Sequence, residues 1–257
     1  MCLTVFAFQT DNQYPLIFAT NRDEFYDRPA EPATFWYDHP KLLAGRDLKA
    51  GGTWLGITTD HRFAAITNYR DINNIKENAP SRGDIVSDYL TSDMTAPEFI
   101  KELRKDAELY NGFNLIAGTT TELWYYTNVK DEMKRIKPGI HTLSNAFLDT
   151  PWPKTEKARE GFTDLMRDEG KGEIPRTELF SILQDQEKFP DEKLPSTGLS
   201  PEMERLVSSI FITSDTYGTR CSTVIKADPA PQGITSFTET TYIKGTAEVD
   251  STVSYQF

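Results

Sequence analysis

Histidine is scarce in this chain and cysteine scarcer. There are three histidines, His39, His61 and His141, scattered apart, and two cysteines, Cys2 and Cys221. With no Cys-x-x-Cys pair, a zinc site is not expected. Two thiols in 257 residues can pair with each other, but they make no disulfide framework. Basic residues are outnumbered 28 to 39, giving a formal charge of −11. No basic cluster offsets that deficit, which argues against a nucleic-acid partner and against an anionic membrane surface. The plain meaning of the charge is solubility. No apolar run approaches the ~20 residues that cross a bilayer. The first twenty residues lack a basic n-region, and Asp11-Asn12-Gln13 interrupts them, so no signal peptide is read there. The expected location is cytoplasmic.

Enough apolar sequence is present to build a core, at 38% hydrophobic and 12% aromatic residues. Residues 2–8 and Leu16–Thr20 are apolar runs around a turn, the pattern of a hairpin. Residues 26–41, with three prolines, Phe35, Trp36 and Tyr37, read as an ordered irregular loop beside a pocket. Gly45-Arg46-Asp47 and Ala50-Gly51-Gly52 read as turns, with strands at Thr53–Thr58 and Phe63–Asn68. Ser81 with Asp84, and Thr95 with Glu98, mark two helix starts. Strands resume at Phe113–Gly118, Glu122–Thr127 and Gly139–Asn145. Lys154–Arg167 is helical, and residues 170–206 are polar with one short helix at Thr177–Leu183. Further strands are expected at Ser209–Thr213, Ser222–Ala227, Ile234–Thr240 and Thr252–Phe257. The order is strands, helices, strands, helices, strands, without regular βα alternation. That predicts an α+β fold with two largely antiparallel sheets and outer helices. With no repeat and no linker, one domain over 1–257 is expected.

A strand beginning at the second residue is unusual, because chain ends are normally frayed and polar. It makes sense if the terminus has a task. Removal of Met1 would leave a thiol and a free α-amine on Cys2. An α-amine titrates near ~7.7–8.0, so it can serve as the base for its own thiol. The bland alternative is a small buried hydrophobe. Alternation puts Asn21 and Asp23 on one strand face and Arg22 on the other. If the two strands are neighbours, Asp23 can reach the Cys2 amine. Asn68 and Asn145 either cap turns or present an amide to a pocket. Arg220 is either a surface cation or a thiolate partner, Cys221 reads as a structural thiol, and His61 as a solvated turn residue. The Gly-rich stretch 45–56 has no phosphate-loop pattern.

Met1-Cys2-Leu3, Asn21-Arg22-Asp23-Glu24, Gly51 to Gly56, Thr67-Asn68-Tyr69-Arg70, Leu143-Ser144-Asn145 and Tyr217 to Arg220 together resemble the NRDE family, the transport-and-Golgi-organization-2-like proteins. The resemblance runs to about Ile225. More distantly, the order Cys, Asn-x-Asp, Asn, Asn, Arg is similar to the N-terminal-nucleophile amidases of the penicillin V acylase and bile-salt hydrolase type. That likeness implies a four-layered αββα sandwich and an amide or thioester hydrolase or acyltransferase. It implies Cys2 as nucleophile and base, with Asp23 holding its amine. Asn68 would help form the oxyanion hole, Asn145 would orient amine or substrate, and Arg220 would sit by the thiol. The chain departs at Thr20, where those amidases carry an Arg. Asn21, Trp36 and Trp54 are the expected substrate-binding residues. The expected partner is a small amide, thioester or acyl ligand, with no cofactor. The alternative is a binding or trafficking protein for haem or an acyl ligand on the same scaffold, since some NRDE members are linked to haem trafficking and lipid metabolism.

Overall fold

The structure, a computed structural model, describes residues 2–11, 13–167, 174–228 and 233–257. Met1, whose removal the terminal chemistry requires, lies outside them. The first hairpin sets the layers. β1 (Cys2–Phe8) and β2 (Leu16–Phe25) pair antiparallel, with Cys2 opposite Arg22 and Phe8 opposite Leu16. Both are apolar on two faces, as strands covered from both sides must be. Phe6, Phe8, Leu16 and Phe18 enter one core, and Leu3, Val5, Ala7, Ile17 and Ala19 enter another.

The chain then builds a second sheet in order: β3 (Ala30–Phe35), β4 (Leu42–Asp47), β5 (Leu55–Thr58), β6 (Arg62–Asn68), β7 (Phe113–Thr119), β8 (Glu122–Thr127) and β9 (Glu132–Arg135). Between β6 and β7 lie α1 (Arg82–Thr91) and α2 (Ala96–Leu103), which cover this sheet's outer face. Ser81 accepts from the Gly83 N–H, and Thr95 with Glu98 closes a capping box, so both helices start where their caps predict. The chain returns to the first sheet at β10 (Gly139–Leu143), whose order is β10-β1-β2-β11-β12-β13. Here α3 (Pro153–Arg167), α4 (Arg176–Leu183) and α5 (Pro201–Leu206) precede β11 (Tyr217–Ala227), β12 (Thr235–Tyr242) and β13 (Val249–Gln256). α3 and α4 pack on the outer face, so the layers run helix, sheet, sheet, helix. All strand pairs are antiparallel. This agrees with the predicted αββα sandwich.

Several local expectations are corrected. Much of 26–41 is not irregular: it contains β3, an edge strand that tolerates Pro32 because its register breaks between Glu31 and Thr34. Gly45-Arg46-Asp47 ends β4 instead of turning. β9 and α5 were not foreseen in their polar stretches. Residues 209–213 are not a strand; Ile210, Phe211 and Ile212 are buried on a non-repetitive segment tied to Thr219. His61 does turn the chain, with φ 64°, but it is buried against Thr235, not solvated. Cys2 and Cys221 both face Arg22 across β2, so two strand spacings separate them. That is roughly 9–10 Å, beyond the ~7 Å Cα separation a disulfide spans.

Candidate active site

The Cys2 end of the first sheet opens into a cleft of about 390 Å³ between the sheets. Cys2, Arg22, Arg28, Trp54, Asn68 and Arg82 are among its lining residues. Alternation from Phe6 and Phe8 puts Cys2 on the inter-sheet face, and cross-strand pairing puts Arg22 on that face beside it. The Arg22 guanidinium lies over the Trp54 ring at 4.1 Å and 3.5 Å from Asp47. Asp47 also receives Arg28 Nε at 2.5 Å and the backbone N–H groups of Lys49 and Ala50. Two glycines make this packing possible. A Cβ on Gly45 would meet the Trp54 ring at 2.4 Å, and one on Gly52 would meet the Gly83 backbone at 2.4 Å at the start of α1.

Burial pushes the Cys2 thiol up from its ordinary value. The Asp23 charge adds to that, and an Asp23 backbone hydrogen bond and the Arg22 charge oppose it. Asp23 points to the other face of the sheet, where Thr219 Oγ1 donates to its Oδ1 at 2.7 Å and Tyr217 donates to its backbone carbonyl at 3.0 Å. Burial raises the Asp23 carboxyl, and Lys154 and Thr219 hold it down. The same two strands therefore present a thiol and cation to the cleft and a carboxylate to the helix layer.

Asn68 ends β6 at the cleft, and among the described residues its side chain makes no hydrogen bond, so its amide is available to a ligand. Asn145 does not line the Cys2 cleft. It is buried, donates Nδ2 to the Asn68 carbonyl at 2.9 Å, and follows Ser144, which donates to the Cys2 carbonyl at 2.9 Å. This pair braces β1 of one sheet against β6 of the other.

Three further expected site residues fall elsewhere. Asn21 is fully buried on the helix side, donating to the carbonyls of Leu183 and Ile210 at 2.8 and 2.9 Å. Trp36 is buried under α1, with its indole N–H on the Ala44 carbonyl. Only Trp54 of the expected aromatic pair reaches the cleft. Arg220 is the extra residue where β11 shifts register between Thr219 and Cys221. The bulge turns it away from Cys2, and it donates to the carbonyls of Phe25 and Arg28. The guanidinium that acts on the Cys2 thiol is that of Arg22, which the NRDE tetrapeptide contained but which was read as pointing away. Arg82 and Lys154 were also missed. Arg82 follows an N-cap and carried no motif, and Lys154 looked like one charge among many on α3.

A second cleft of about 470 Å³ adjoins the first, sharing Asn68, Asn111 and Arg82. Tyr69, Ile72, Ile75, Tyr110 and Val129 give it an apolar wall. No histidine lines either cleft among the described residues, and no cluster there has the makings of a metal site. No helix is long and apolar enough to cross a membrane among the described residues.

Comparison with known proteins places the chain in context. The profile of the family described as Transport and Golgi organisation 2 matches residues 1–244. The chain is 36% identical to the Transport and Golgi organization protein 2 homolog of Bos taurus, covering all of this chain and 99% of that protein. It is 35% identical to the Mus musculus homolog with the same coverage. Against the Drosophila melanogaster protein it is 26% identical over 89% of this chain and 88% of that one. Among solved structures, the mutant C2A of conjugated bile acid hydrolase from Clostridium perfringens superposes with a TM-score of 0.57 at 11% identity, covering 99% of this chain and 92% of that one. A Caenorhabditis elegans N-acylethanolamine-hydrolyzing acid amidase ortholog gives 0.50 at 13% identity, with 87% and 92% covered. At these identities the likeness is one of fold, the N-terminal-nucleophile hydrolase fold.

Proposed function

The chain belongs to the Transport and Golgi organisation 2 family, and on that premise we propose that it is an N-terminal-nucleophile hydrolase or acyltransferase. It would cleave an amide or thioester bond with Cys2 after removal of Met1. One observation carries the reading: the Cys2 thiol opens on a cleft that also holds a guanidinium and an amide without a protein hydrogen-bond partner among the described residues. In this reading the Cys2 amine takes the thiol proton and Sγ attacks the substrate carbonyl carbon. The carbonyl electron pair moves to oxygen, where the Asn68 amide donates to it. The ammonium then protonates the leaving nitrogen as the C–N bond breaks, leaving a thioester. Water, or an acceptor amine, attacks the thioester and restores the thiol. Arg22 favours the thiolate, Asp23 holds the amine, and Asn145 keeps Asn68 in place through its carbonyl. Arg220 anchors the turn after β2 and has no part in the chemistry. Of the two solved neighbours, one is an N-acylethanolamine-hydrolyzing acid amidase ortholog and the other a C2A mutant of a conjugated bile acid hydrolase.

Intact mass, before and after a thiol reagent, tests the first step. The expected result is loss of the Met1 mass and labelling at Cys2 faster than at Cys221, followed by turnover in a panel of amides and thioesters. Retained Met1, or an inert Cys2, sinks the mechanism. The apolar wall of the adjoining cleft favours a second reading, a carrier of an acyl or lipid ligand in the cytoplasm. Haem is the less suited cargo, because its iron would depend on Cys2 for a ligand where no described histidine lines the clefts. Tight binding of an acyl ligand by Cys2→Ala, with no turnover by the parent, selects the carrier.

A further inference from the structure

The junction of the two clefts holds a cation that no carboxylate neutralises. Arg82, Asn68 and Asn111 line both clefts, and Arg82 is the charged one of the three. It stands in the first turn of α1, directly after the Ser81 cap, and is partly buried. Its Nη1 reaches across to the Gly112 carbonyl at 3.1 Å, just before β7. That bond fixes the guanidinium between helix and sheet and uses one of its five N–H donors. Among the described residues the side chain makes no other hydrogen bond and no ion pair. None of its nitrogens is sealed away without a partner, so the free donors open on the clefts.

The neighbouring cations are matched. Arg22 and Arg28 share Asp47, at 3.5 and 2.5 Å. Lys76, on the wall of the second cleft, donates to the Glu108 and Tyr110 carbonyls. Glu24 also lines the first cleft, but its Oε1 accepts from the Phe25 N–H at 2.9 Å and it forms no ion pair with Arg82. Two rules oppose an unmatched arginine here. A cation drawn out of water without a counter-charge costs free energy, and a cation in a first turn meets the positive end of the helix dipole. An anion in the cleft relieves both. Beyond Arg82 the second cleft turns apolar at Tyr69, Ile72, Ile75, Tyr110 and Val129. Asn111 holds that wall: its Oδ1 accepts from the Lys76 N–H at 2.7 Å and its Nδ2 donates to the Lys76 carbonyl at 3.1 Å.

We propose that Arg82 sets the specificity of this site: it binds a carboxylate carried by an apolar acyl compound, whose chain lies in the second cleft and whose reacting carbonyl lies at Cys2. The place of the carbonyl rests on the N-terminal-nucleophile reading; the place of the carboxylate does not. A guanidinium presents parallel N–H groups that match the two oxygens of a carboxylate. One free guanidinium balances one negative charge, so a carboxylate suits the junction better than a doubly charged phosphate.

The test is binding of N-lauroylglycine and of its neutral counterpart N-lauroylglycinamide to the Cys2→Ala protein at pH 7, by calorimetry below the micelle concentrations. The carboxylate is expected to bind about ten-fold tighter than the amide. R82Q in that background is expected to lose the preference while holding the amide as before. R82K is expected to fall between, since an ammonium keeps the charge without the fork. Equal binding of the two probes, binding of neither, or a preference unchanged in R82Q overturns the proposal. If R82Q does not fold, R82K carries the test, and a preference as large as that of the Arg82 protein overturns it. Lauryl phosphate binding tighter than laurate overturns the choice of a carboxylate. The same glycine and glycinamide probes are then offered to the protein with Cys2 intact. No turnover with the preference present removes the hydrolase reading and keeps Arg82 as a carboxylate site. Turnover of both probes at equal kcat/KM removes Arg82 alone.

Discussion

Cys2 and Cys221 lie on one face of one sheet, each opposite Arg22, on strands either side of β2. Their surroundings differ in every other respect. Cys2 is half-buried at a cleft, and although burial raises its thiol, the Arg22 charge pulls against that. Cys221 is 5% exposed, and its Sγ lies 3.6 Å from Glu239 Oε2. Burial and the Glu239 charge both push that thiol well above its ordinary value. One arginine cannot make two nucleophiles: the thiol at an open cleft beside a cation is the reactive candidate, and the one beside a buried carboxylate is expected to label slowly.

The largest expected contrast breaks the comparison outright. Cys2→Ala should abolish fast thiol labelling and all turnover of any amide the parent cleaves. Cys221→Ala should keep both, at the cost of a cavity in the inter-sheet core. Equal loss in the two variants would mean that Cys2 is not special. Next in size is Asn68→Ala. Removing one oxyanion donor costs ~10²–10³ in kcat, with KM little changed. Its control is Asn21→Ala, which should lower melting temperature sharply, because two buried carbonyls lose their donor. A kcat loss confined to the Asn21 variant would reverse the assignment.

The same strands show what sequence alone could and could not tell. The hairpin of β1 and β2 was legible because its residues are apolar without a break, and the capped starts of α1 and α2 because Ser81 and Thr95 stand where caps must. Placing Asp23 and Arg22 on opposite faces needed only alternation. Which of those faces Cys2 shares needed the register, and Cys2 opposite Arg22 puts the thiol with the arginine. Arg220 was misplaced because a one-residue bulge between Thr219 and Cys221 defeats counting by two. Trp36 and Asn21 looked like pocket residues because aromatics and amides suit pockets, yet each satisfies a buried backbone carbonyl. Lys154 was invisible because its burial comes from β1 and from Val207, far away in the chain.

Arg22 and Arg220 sharpen the comparison further. Arg22→Leu removes the cation beside Cys2 while keeping an apolar body on Trp54, so Cys2 alkylation at pH 7 should slow several-fold and its pH profile shift upward. Arg220→Leu should leave that profile in place and act only on stability, through the turn it anchors at Phe25 and Arg28. The profile moving in Arg220→Leu and not in Arg22→Leu would restore Arg220 to the thiol.

The smallest effect lies at the other thiol. Glu239 is fully buried, accepting from the Ala33 N–H at 2.7 Å and from Thr223 at 3.1 Å, and burial raises its carboxyl above the usual range. A carboxyl raised in the fold favours the native state only while it is protonated. Below the unfolded value both states hold the proton, and as pH rises the unfolded chain gives its proton up first, so stability is lost up to and through the folded value. Glu239→Gln removes that loss and keeps an oxygen for the Ala33 N–H. The variant should therefore melt close to the parent near pH 4 and above it by a few degrees at pH 7, where ~1 kcal/mol corresponds to roughly 2–4 °C for a chain of this size. A melting gap that does not change between the two pH values would mean that Glu239 is not the group resisting ionisation beside Cys221. The Cys221 thiol should then label no faster in Glu239→Gln than in the parent; with the carboxylate gone, faster labelling at high pH is the expected result.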